Sequence, residues 1–308
     1  MQTIIFAGVF TVLAVATWVR FTGTSTASRA AHGYARKVDL ALEGELGERV
    51  AVRLAHRERT GALGAVVGVW LTVLLVATLG PGLVSDAEGY GVSSYGVIGV
   101  VMGFFAGHAV GYGVVAWREA MRPVPDGPRL ARTTTPSVED YVAPHERRGA
   151  WVAAGVSVLV AAGLALVHSS GIMDLGPMPW GAVVLAVLVP PLVVLLEELA
   201  SRRVVARRQV AASTLELAWD DALRARTVRD LVTVALVIGC FGSIGLLGLV
   251  ADGLEGGWPA NPAVGLVNGL FLVLLGALVL TALISLVLDP QGHVRRRLWP
   301  VGQDGVRR

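Results

Sequence analysis

Seven stretches of apolar residues alternate with polar segments along the 308-residue chain. Each stretch is about 18 residues or longer, the length that an α-helix needs to cross a bilayer. The pattern predicts an all-α, polytopic bundle of seven transmembrane helices, and residues 1–308 form a single integral membrane domain. The predicted spans cover, approximately, residues 3–19, 61–79, 95–117, 149–167, 178–196, 231–250 and 263–288.

The composition agrees with a membrane location. Hydrophobic residues make up 54% of the chain and charged residues 16%, against about 25% charged residues in soluble domains. Lys37 is the only lysine, and this arginine bias, with many Ala, Val and Gly residues, is typical of high-GC bacteria. We therefore expect a multi-pass protein of a bacterial inner (plasma) membrane.

The first span has an alternative interpretation as a signal peptide. The run from Ala14 to Ala16 resembles a cleavage site, whereas no positive charge precedes the span and Arg20 follows it. These flanking residues favour an uncleaved helix with its N-terminus outside.

The positive charges predict the orientation of the bundle. All Lys and Arg residues lie in segments 20–60, 118–148, 197–230 and 289–308, and none lies in the three other loops. Because cytoplasmic flanks carry the Lys/Arg excess, the N-terminus is expected outside and the C-terminus in the cytoplasm. Anionic lipids are expected to face the basic side.

The two longest basic segments are predicted to form helices in the cytoplasm. In residues 20–60, Gly44 and Gly47 interrupt an apolar stripe, so two short helices are expected. In residues 197–230, Ser213 and Glu216 match a capping box, which predicts the start of another short helix.

The order of spans and loops indicates an internal repeat. Spans one to three and spans five to seven share the order span, long inner segment, span, short outer loop, span. Residues 57–60 (RERT) precede the second span, and residues 224–227 (RART) precede the sixth. Either the two halves form a parallel repeat, or the similarity is a coincidence in an arginine-rich chain.

Glycines at regular helical spacing predict where the spans contact each other. In lipid, helices associate through close packing, and small residues four positions apart form such contact faces. The glycines predicted to pack in this way are Gly99, Gly103, Gly107, Gly111, Gly239 and Gly242.

Three residues inside the spans have both a functional and a structural interpretation. His108 lies deep in the third span, where polar groups are costly. It either gates a pathway or senses pH, or it is a neutral side chain bonded to a neighbouring helix. Pro190 and Pro191 each remove a backbone donor and predict a kink, which either lines a substrate site or is static.

Several functions lack the residues that they need. Retinal binding needs a lysine in the last span, and Lys37 lies elsewhere; no Gly-Lys-Ser/Thr phosphate-binding loop occurs. Ser243 and His108 differ in order and spacing from the catalytic pair of rhomboid proteases, so catalysis is not expected. Glu197 and Glu198 end the fifth span and are expected to reach water. No cofactor or metal is expected.

The helix predicted after Ser213 is amphipathic. Leu215, Trp219 and Leu223 follow each other at four-residue intervals and so share one face. This face either docks a cytoplasmic ATPase or another protein, as coupling helices of ABC permeases do, or lies on anionic lipids, or packs under the bundle as a linker. The charge distribution follows from the topology, so no nucleic-acid partner is expected.

The composition, the order of spans and the loop at residues 131–142 (ARTTTPSVEDYV) resemble those of multi-pass membrane proteins of high-GC Gram-positive bacteria whose function is unknown. The resemblance implies an integral membrane protein and supplies no active site. We expect a non-enzymatic, transport-associated component whose inner helices contact a partner. A stand-alone sensor or scaffold is the alternative, and an intramembrane enzyme is a remote one.

Overall fold

The computed structural model describes residues 2–79, 94–122, 136–254, 261–287 and 290–299. These residues form ten α-helices, and the described part contains no β-strand. The helices are α1 (Gln2–Arg20), α2 (Thr24–Val38), α3 (Gly44–Leu79), α4 (Ser94–Met121), α5 (Val138–Tyr141), α6 (Pro144–Ser170), α7 (Trp180–Ala206), α8 (Thr214–Asp252), α9 (Pro262–Val287) and α10 (Pro290–Leu298). Residues 131–135, part of the loop that carried the resemblance, lie outside the described residues.

Seven of these helices are long and apolar enough to cross a membrane, namely α1, α3, α4, α6, α7, α8 and α9. They coincide with the seven predicted spans, except that α7 begins two residues after the predicted start of the fifth span. This agreement confirms the all-α prediction and supports a multi-pass bundle. Their outward faces carry large apolar side chains such as Val67, Leu159 and Leu166, each about two-thirds or more exposed. Lipid is the solvent that suits such faces, because helices satisfy all of their interior backbone groups internally.

Two helices are much longer than a bilayer crossing. α3 has 36 residues and α8 has 39, which correspond to roughly 55 and 60 Å at the α-helical rise. The 15-residue α2 is one of the two short helices predicted in residues 20–60. The second of them, and the helix predicted after Ser213, are instead the first parts of α3 and α8. Gly44 begins α3 and Gly47 lies inside it, because burial of Val50 and Leu54 offsets the cost of an interior glycine, about 1 kcal/mol.

Ser213 is confirmed as the N-cap of α8, although the helix is not short and the carboxylate of Glu216 accepts its bond from the N–H of Ala212 instead of Ser213. The hydroxyl oxygen of Ser213 accepts a hydrogen bond of 3.2 Å from the backbone N–H of Glu216. No proline follows until the end of the sixth span, so the helix continues from this cap to Asp252.

The basic segments meet at one end of the bundle. α2 packs on the first half of α3 and on the start of α8, around Tyr34, Leu54 and Trp219. α10 joins this layer through Arg295, which lies 3.7 Å from Asp39. We call this layer the basic module; it comprises residues 20–60, 118–122, 136–148, 197–230 and 290–299.

The opposite end of the bundle carries loops without arginine or lysine. Gly176, in the loop after α6, has a φ of +62°, and a Cβ there would lie 2.6 Å from the carbonyl oxygen of Gly253, after α8. The two loops therefore touch through their backbones, on the side away from the basic module.

The internal repeat stays a prediction. Helix α2 lies between α1 and α3, whereas residues 207–213 between α7 and α8 contain no helix. The contact of α3 with α4 is also far more extensive than that of α8 with α9.

Candidate functional site at the junction of the bundle and the basic module

The apolar halves of α3 and α4 meet backbone to backbone. A Cβ on Gly64 would overlap the carbonyl oxygen of Gly107, and a Cβ on Gly68 would overlap that of Gly103. A Cβ on Gly111 would overlap the backbone of α3 as well. The three glycines of α4 named here therefore lie at the predicted contact, and α3 supplies complementary glycines.

The other predicted packing glycines differ in how much room they have. A Cβ on Gly99 would lie 3.5 Å from the side chain of Thr72, an ordinary contact. A Cβ on Gly239 would lie 2.8 Å from the backbone of Ala153, and one on Gly242 would lie 2.8 Å from Oγ of Ser157. Gly239 and Gly242 thus allow α8 to approach α6 closely, whereas Gly99 is not required by close approach.

Helix α7 continues through both prolines. Pro190 has no N–H, so the carbonyl of Ala186 loses its usual helical donor. The hydroxyl of Ser157, on α6, donates a hydrogen bond of 2.9 Å to this carbonyl. Pro190 is buried, and its ring lies 3.4 Å from the Cβ position of Gly242. These contacts support the static interpretation for Pro190, because the carbonyl that it leaves free is satisfied inside the bundle.

His108 belongs to a chain of polar groups that leads towards the basic module. Its Nε2 lies 2.7 Å from the hydroxyl of Tyr112, which donates a bond of 2.5 Å to Glu58. Nδ1 of His108 is buried and has no partner among the described residues. The partner of His108 is therefore one turn along its own helix, and the expectation of a partner on a neighbouring helix is corrected.

Arg57 lies at the centre of this polar cluster. Its guanidinium donates two bonds, of 2.5 and 2.6 Å, to Asp230 on α8 and one of 2.7 Å to Glu58. It also lies 3.4 Å above the ring of Tyr112 on α4. The side chains of Arg57 and Asp230 are only 13% and 12% exposed. Two parallel bonds to one carboxylate fix the geometry as well as the charge, so this residue joins α3, α4 and α8.

A second clamp lies one helical turn further from the apolar half. Arg53 donates two bonds of 2.7 Å to Glu119 at the end of α4. Thr227 on α8 donates a bond of 2.9 Å to the same carboxylate. The same three helices are therefore joined twice, at successive turns of α3.

Ion pairs also join α6 to its neighbours. Arg147 contacts Glu198 of α7 at 2.6 Å, and Arg229 of α8 contacts Glu146 at 3.1 Å. Glu197 is only 4% exposed and accepts a bond of 2.7 Å from Ser201. The expectation that the two glutamates reach water is therefore wrong for Glu197, whereas Glu198 is partly exposed.

The face of α8 that was predicted to dock a partner is buried inside the basic module. Trp219 is 1% exposed, and its indole N–H donates a bond of 2.8 Å to the carbonyl of Ala41. Leu223 is buried and Leu215 is half-buried in the same cluster. Tyr34 of α2 packs there too, and burial raises the pKa of its phenol. The docking prediction is corrected for these residues, because α2 and α3 occupy the face.

A buried carboxylate holds the periphery of the module together. Asp221 is fully buried and accepts hydrogen bonds from Tyr141 of α5, Gln209 before α8 and Trp299 after α10, at 3.0, 2.7 and 3.0 Å. Three short elements that lack a large core of their own are thus tied to α8.

The structure does not bring Ser243 and His108 together as a catalytic pair. Ser243 is buried, and its hydroxyl donates a hydrogen bond of 2.9 Å to the carbonyl of Cys240 on its own helix. His108 instead contacts Tyr112. Among the described residues, no group of three or more His, Cys, Asp or Glu side chains could hold a metal ion.

Sequence reasoning missed the charged residues at the junction. Arg53, Glu119 and Asp230 were assigned no role, and Arg57 entered only as part of the motif at residues 57–60. A signal did exist, because oppositely charged residues occur within about two turns of the basic end of several spans. The sequence did not show which charged residues pair, because Arg57 and Asp230 are 173 positions apart.

No family model, curated protein or solved structure matches the chain. The fold and the junction therefore define the protein by class. It is an all-α protein with seven long apolar helices, several of which continue into a basic helical module.

Proposed function

We propose that the protein is a non-enzymatic, multi-pass protein of a bacterial inner membrane that acts as a stand-alone sensor or scaffold. Its basic module lies in the cytoplasm and is mechanically coupled to the membrane helices. An event in the module, such as ligand binding, then changes the packing of the bundle, and the reverse also holds.

The observation that carries this proposal is the continuity of α3 and α8 through the junction. Each helix runs unbroken from the module into the apolar bundle. Arg57 and Asp230 join the two helices where they leave the module. Packed helices move as units with discrete arrangements, so a shift of the module ends of α3 and α8 is transmitted to their apolar halves.

A stand-alone protein is favoured over a permease subunit by the burial of the face of α8 around Trp219. The transport-associated hypothesis relied on that face to contact an ATPase. In the folded chain α2 covers it, so a partner would first have to displace the chain's own core.

The cytoplasmic placement of the module is supported by residues at the ends of α1, α4 and α6. Exposed tryptophans lie beside exposed arginines at this end of the bundle, as expected at the inner membrane interface. The pairs are Trp18 with Arg20, Trp117 with Arg118, and Trp151 with Arg148.

Purification from native membranes in a mild detergent tests the stand-alone part of the proposal. We expect recovery of this chain alone or as a homo-oligomer. A stoichiometric ATPase in the purified material would contradict the proposal and restore the permease hypothesis.

Hydrogen–deuterium exchange of the full-length protein in nanodiscs tests the coupling. Asp230→Asn weakens the junction, and we expect faster exchange both in residues 44–60 of the module and in residues 103–111 of α4. Arg49→Gln, which removes a charge from an exposed ion pair with Glu216, is the control. Faster exchange limited to the turn around residue 230 would show that the two regions are not coupled.

A further inference from the structure

A cavity of about 230 Å³ lies inside the basic module. It is bordered by the first halves of α3 and α8 and by the ends of α4 and α7. Five arginines and two carboxylates contribute to its wall, an excess of three positive charges. The arginines are Arg53, Arg122, Arg207, Arg208 and Arg224.

Three of these arginines are held by bonds within the protein. Arg53 binds Glu119 at 2.7 Å, and Arg224 contacts Asp220 at 2.8 Å. Arg224 also donates a hydrogen bond of 2.6 Å to the carbonyl of Arg207. Arg207 in turn donates a hydrogen bond of 2.8 Å to the carbonyl of Glu119. The bonds of Arg53 and the ion pair of Arg224 involve both carboxylates of the wall. The bonds to the carbonyls of Arg207 and Glu119 fix the backbone at the ends of α7 and α4.

The side chains of the other two arginines, Arg122 and Arg208, form no hydrogen bond or ion pair with the described residues, although the charge of Arg122 helps to lower the pKa of Glu119. Both side chains are exposed, and on an ordinary surface they would be two solvated charges. Here they border the same cavity as Arg207, whose pKa is lowered by burial and by the charge of Arg224. The wall therefore holds positive charges close together that its own carboxylates do not balance.

Clustered guanidinium groups are the side chains best suited to bind a phosphate group. Each offers a planar fork of donors that matches two phosphate oxygens. The cavity is smaller than the roughly 300–1,000 Å³ of pockets for drug-sized ligands, so it suits one compact anionic group. Val204 and Val210 supply an apolar part of the wall beside the charges.

We propose that this cavity binds the phosphate group of a phosphomonoester, carried by either a lipid headgroup or a small soluble metabolite. The inference rests on the proposed function in one respect: phosphate binding is taken as the event that the module senses. Binding itself is independent of coupling, so the exchange experiment with Asp230→Asn and the binding experiment below fail separately.

The test measures thermal unfolding of the full-length protein in nanodiscs, followed by tryptophan fluorescence. One arm adds glycerol 3-phosphate to nanodiscs of phosphatidylcholine. The other arm includes phosphatidic acid, a lipid phosphomonoester, and uses phosphatidylglycerol at equal surface charge as its reference. A ligand that binds only the folded state raises the unfolding midpoint with its concentration.

Paired variants separate a built site from general charge attraction. Arg122→Gln with Arg208→Gln should weaken apparent binding at least about tenfold, since two charge-assisted contacts are lost. Arg202→Gln with Arg203→Gln removes the same charge from exposed residues outside the wall and should leave binding within about twofold. Arg122→Lys with Arg208→Lys keeps the charge but removes the planar pair of donors, so the loss of binding should be intermediate.

Stabilisation in one or both arms, lost in the Arg122 and Arg208 pair alone, supports the proposal, and the responding arm identifies a lipid or a soluble source. Absence of stabilisation in both arms for the wild-type protein overturns it. Equal loss in the two glutamine pairs also overturns it, because attraction to any basic surface would then explain the binding.

Discussion

Helices α3 and α4 contact each other in two different ways along their length. In the apolar half, Gly64 and Gly68 meet the glycines of α4 with backbone against backbone. At the basic end, Arg53 and Arg57 reach across to Glu119 and to the ring of Tyr112. The same two helices are therefore held by close packing in one region and by long charged side chains in the other.

The difference follows from the solvent on each side. Lipid offers no hydrophobic gain for association, so helices there rely on van der Waals contact and small residues. At the junction, water stabilises separated charges as well, so a paired arrangement persists only with good geometry. The apolar contact should consequently fail when atoms are added, and the charged contact should fail when a partner is removed.

The largest effect is expected from removing a partner at the junction. Asp230→Asn leaves the buried guanidinium of Arg57 with Glu58 as its remaining carboxylate, and we expect a loss of about 3 kcal/mol in the free energy of unfolding. Equilibrium unfolding in mixed micelles, followed by tryptophan fluorescence, measures it.

Arg49→Gln is the matched control for this variant. The side chain of Arg49 is 65% exposed in its pair with Glu216, and exposed pairs contribute less than about 1 kcal/mol. Equal losses for the two variants would contradict the claim that burial makes the junction pair strong.

An intermediate effect is expected from adding one methyl group to the apolar contact. Gly107→Ala places a Cβ against the backbone of Gly64, so the helices must separate, at a cost of about 2 kcal/mol. The same unfolding experiment measures the loss, and cross-linking yields between α3 and α4 should fall.

Gly163→Ala is the control for Gly107→Ala. A Cβ on Gly163 of α6 meets nothing within 4 Å, and alanine is the better helix former by up to about 1 kcal/mol. Stability should therefore stay the same or rise. If both alanines behave alike, close approach of α3 and α4 is not what holds this contact.

The smallest effect is expected at a contact that combines close packing with a polar bond. Ser157→Ala removes the donor to the Ala186 carbonyl that Pro190 leaves free, at a cost of about 1 kcal/mol. In Pro190→Ala, the new backbone N–H at position 190 can donate to the carbonyl of Ala186. Ser157→Ala should therefore cost less in that background. A double-mutant cycle measures this coupling. If the free-energy changes of the two substitutions simply add, the hydroxyl of Ser157 does not replace the missing backbone donor.

Much of the fold could be read from the sequence because it depends on local composition. The seven spans follow from runs of apolar residues, and the basic end of each follows from the positions of Arg and Lys. The packing role of Gly103 and Gly107 followed from their four-residue spacing, because that spacing places them on one face of a helix.

The candidate site could be read only in part. The sequence singled out His108 for its depth in a span, but Tyr112 and Glu58 were not recognised as its continuation. It singled out Trp219 for its place on an apolar face, and that face turned out to be occupied. An apolar face shows that a helix needs a neighbour, and it does not show whether the neighbour belongs to the same chain.

The sequence by itself determined the number of long apolar helices and the end at which the charges gather, because hydropathy and charge act residue by residue. The tertiary structure alone decided that α3 and α8 are continuous, that α2 covers Trp219 and that Arg57 meets Asp230. These features depend on which helices become neighbours. That choice is made by the summed packing of elements far apart in the chain, and no local pattern records it.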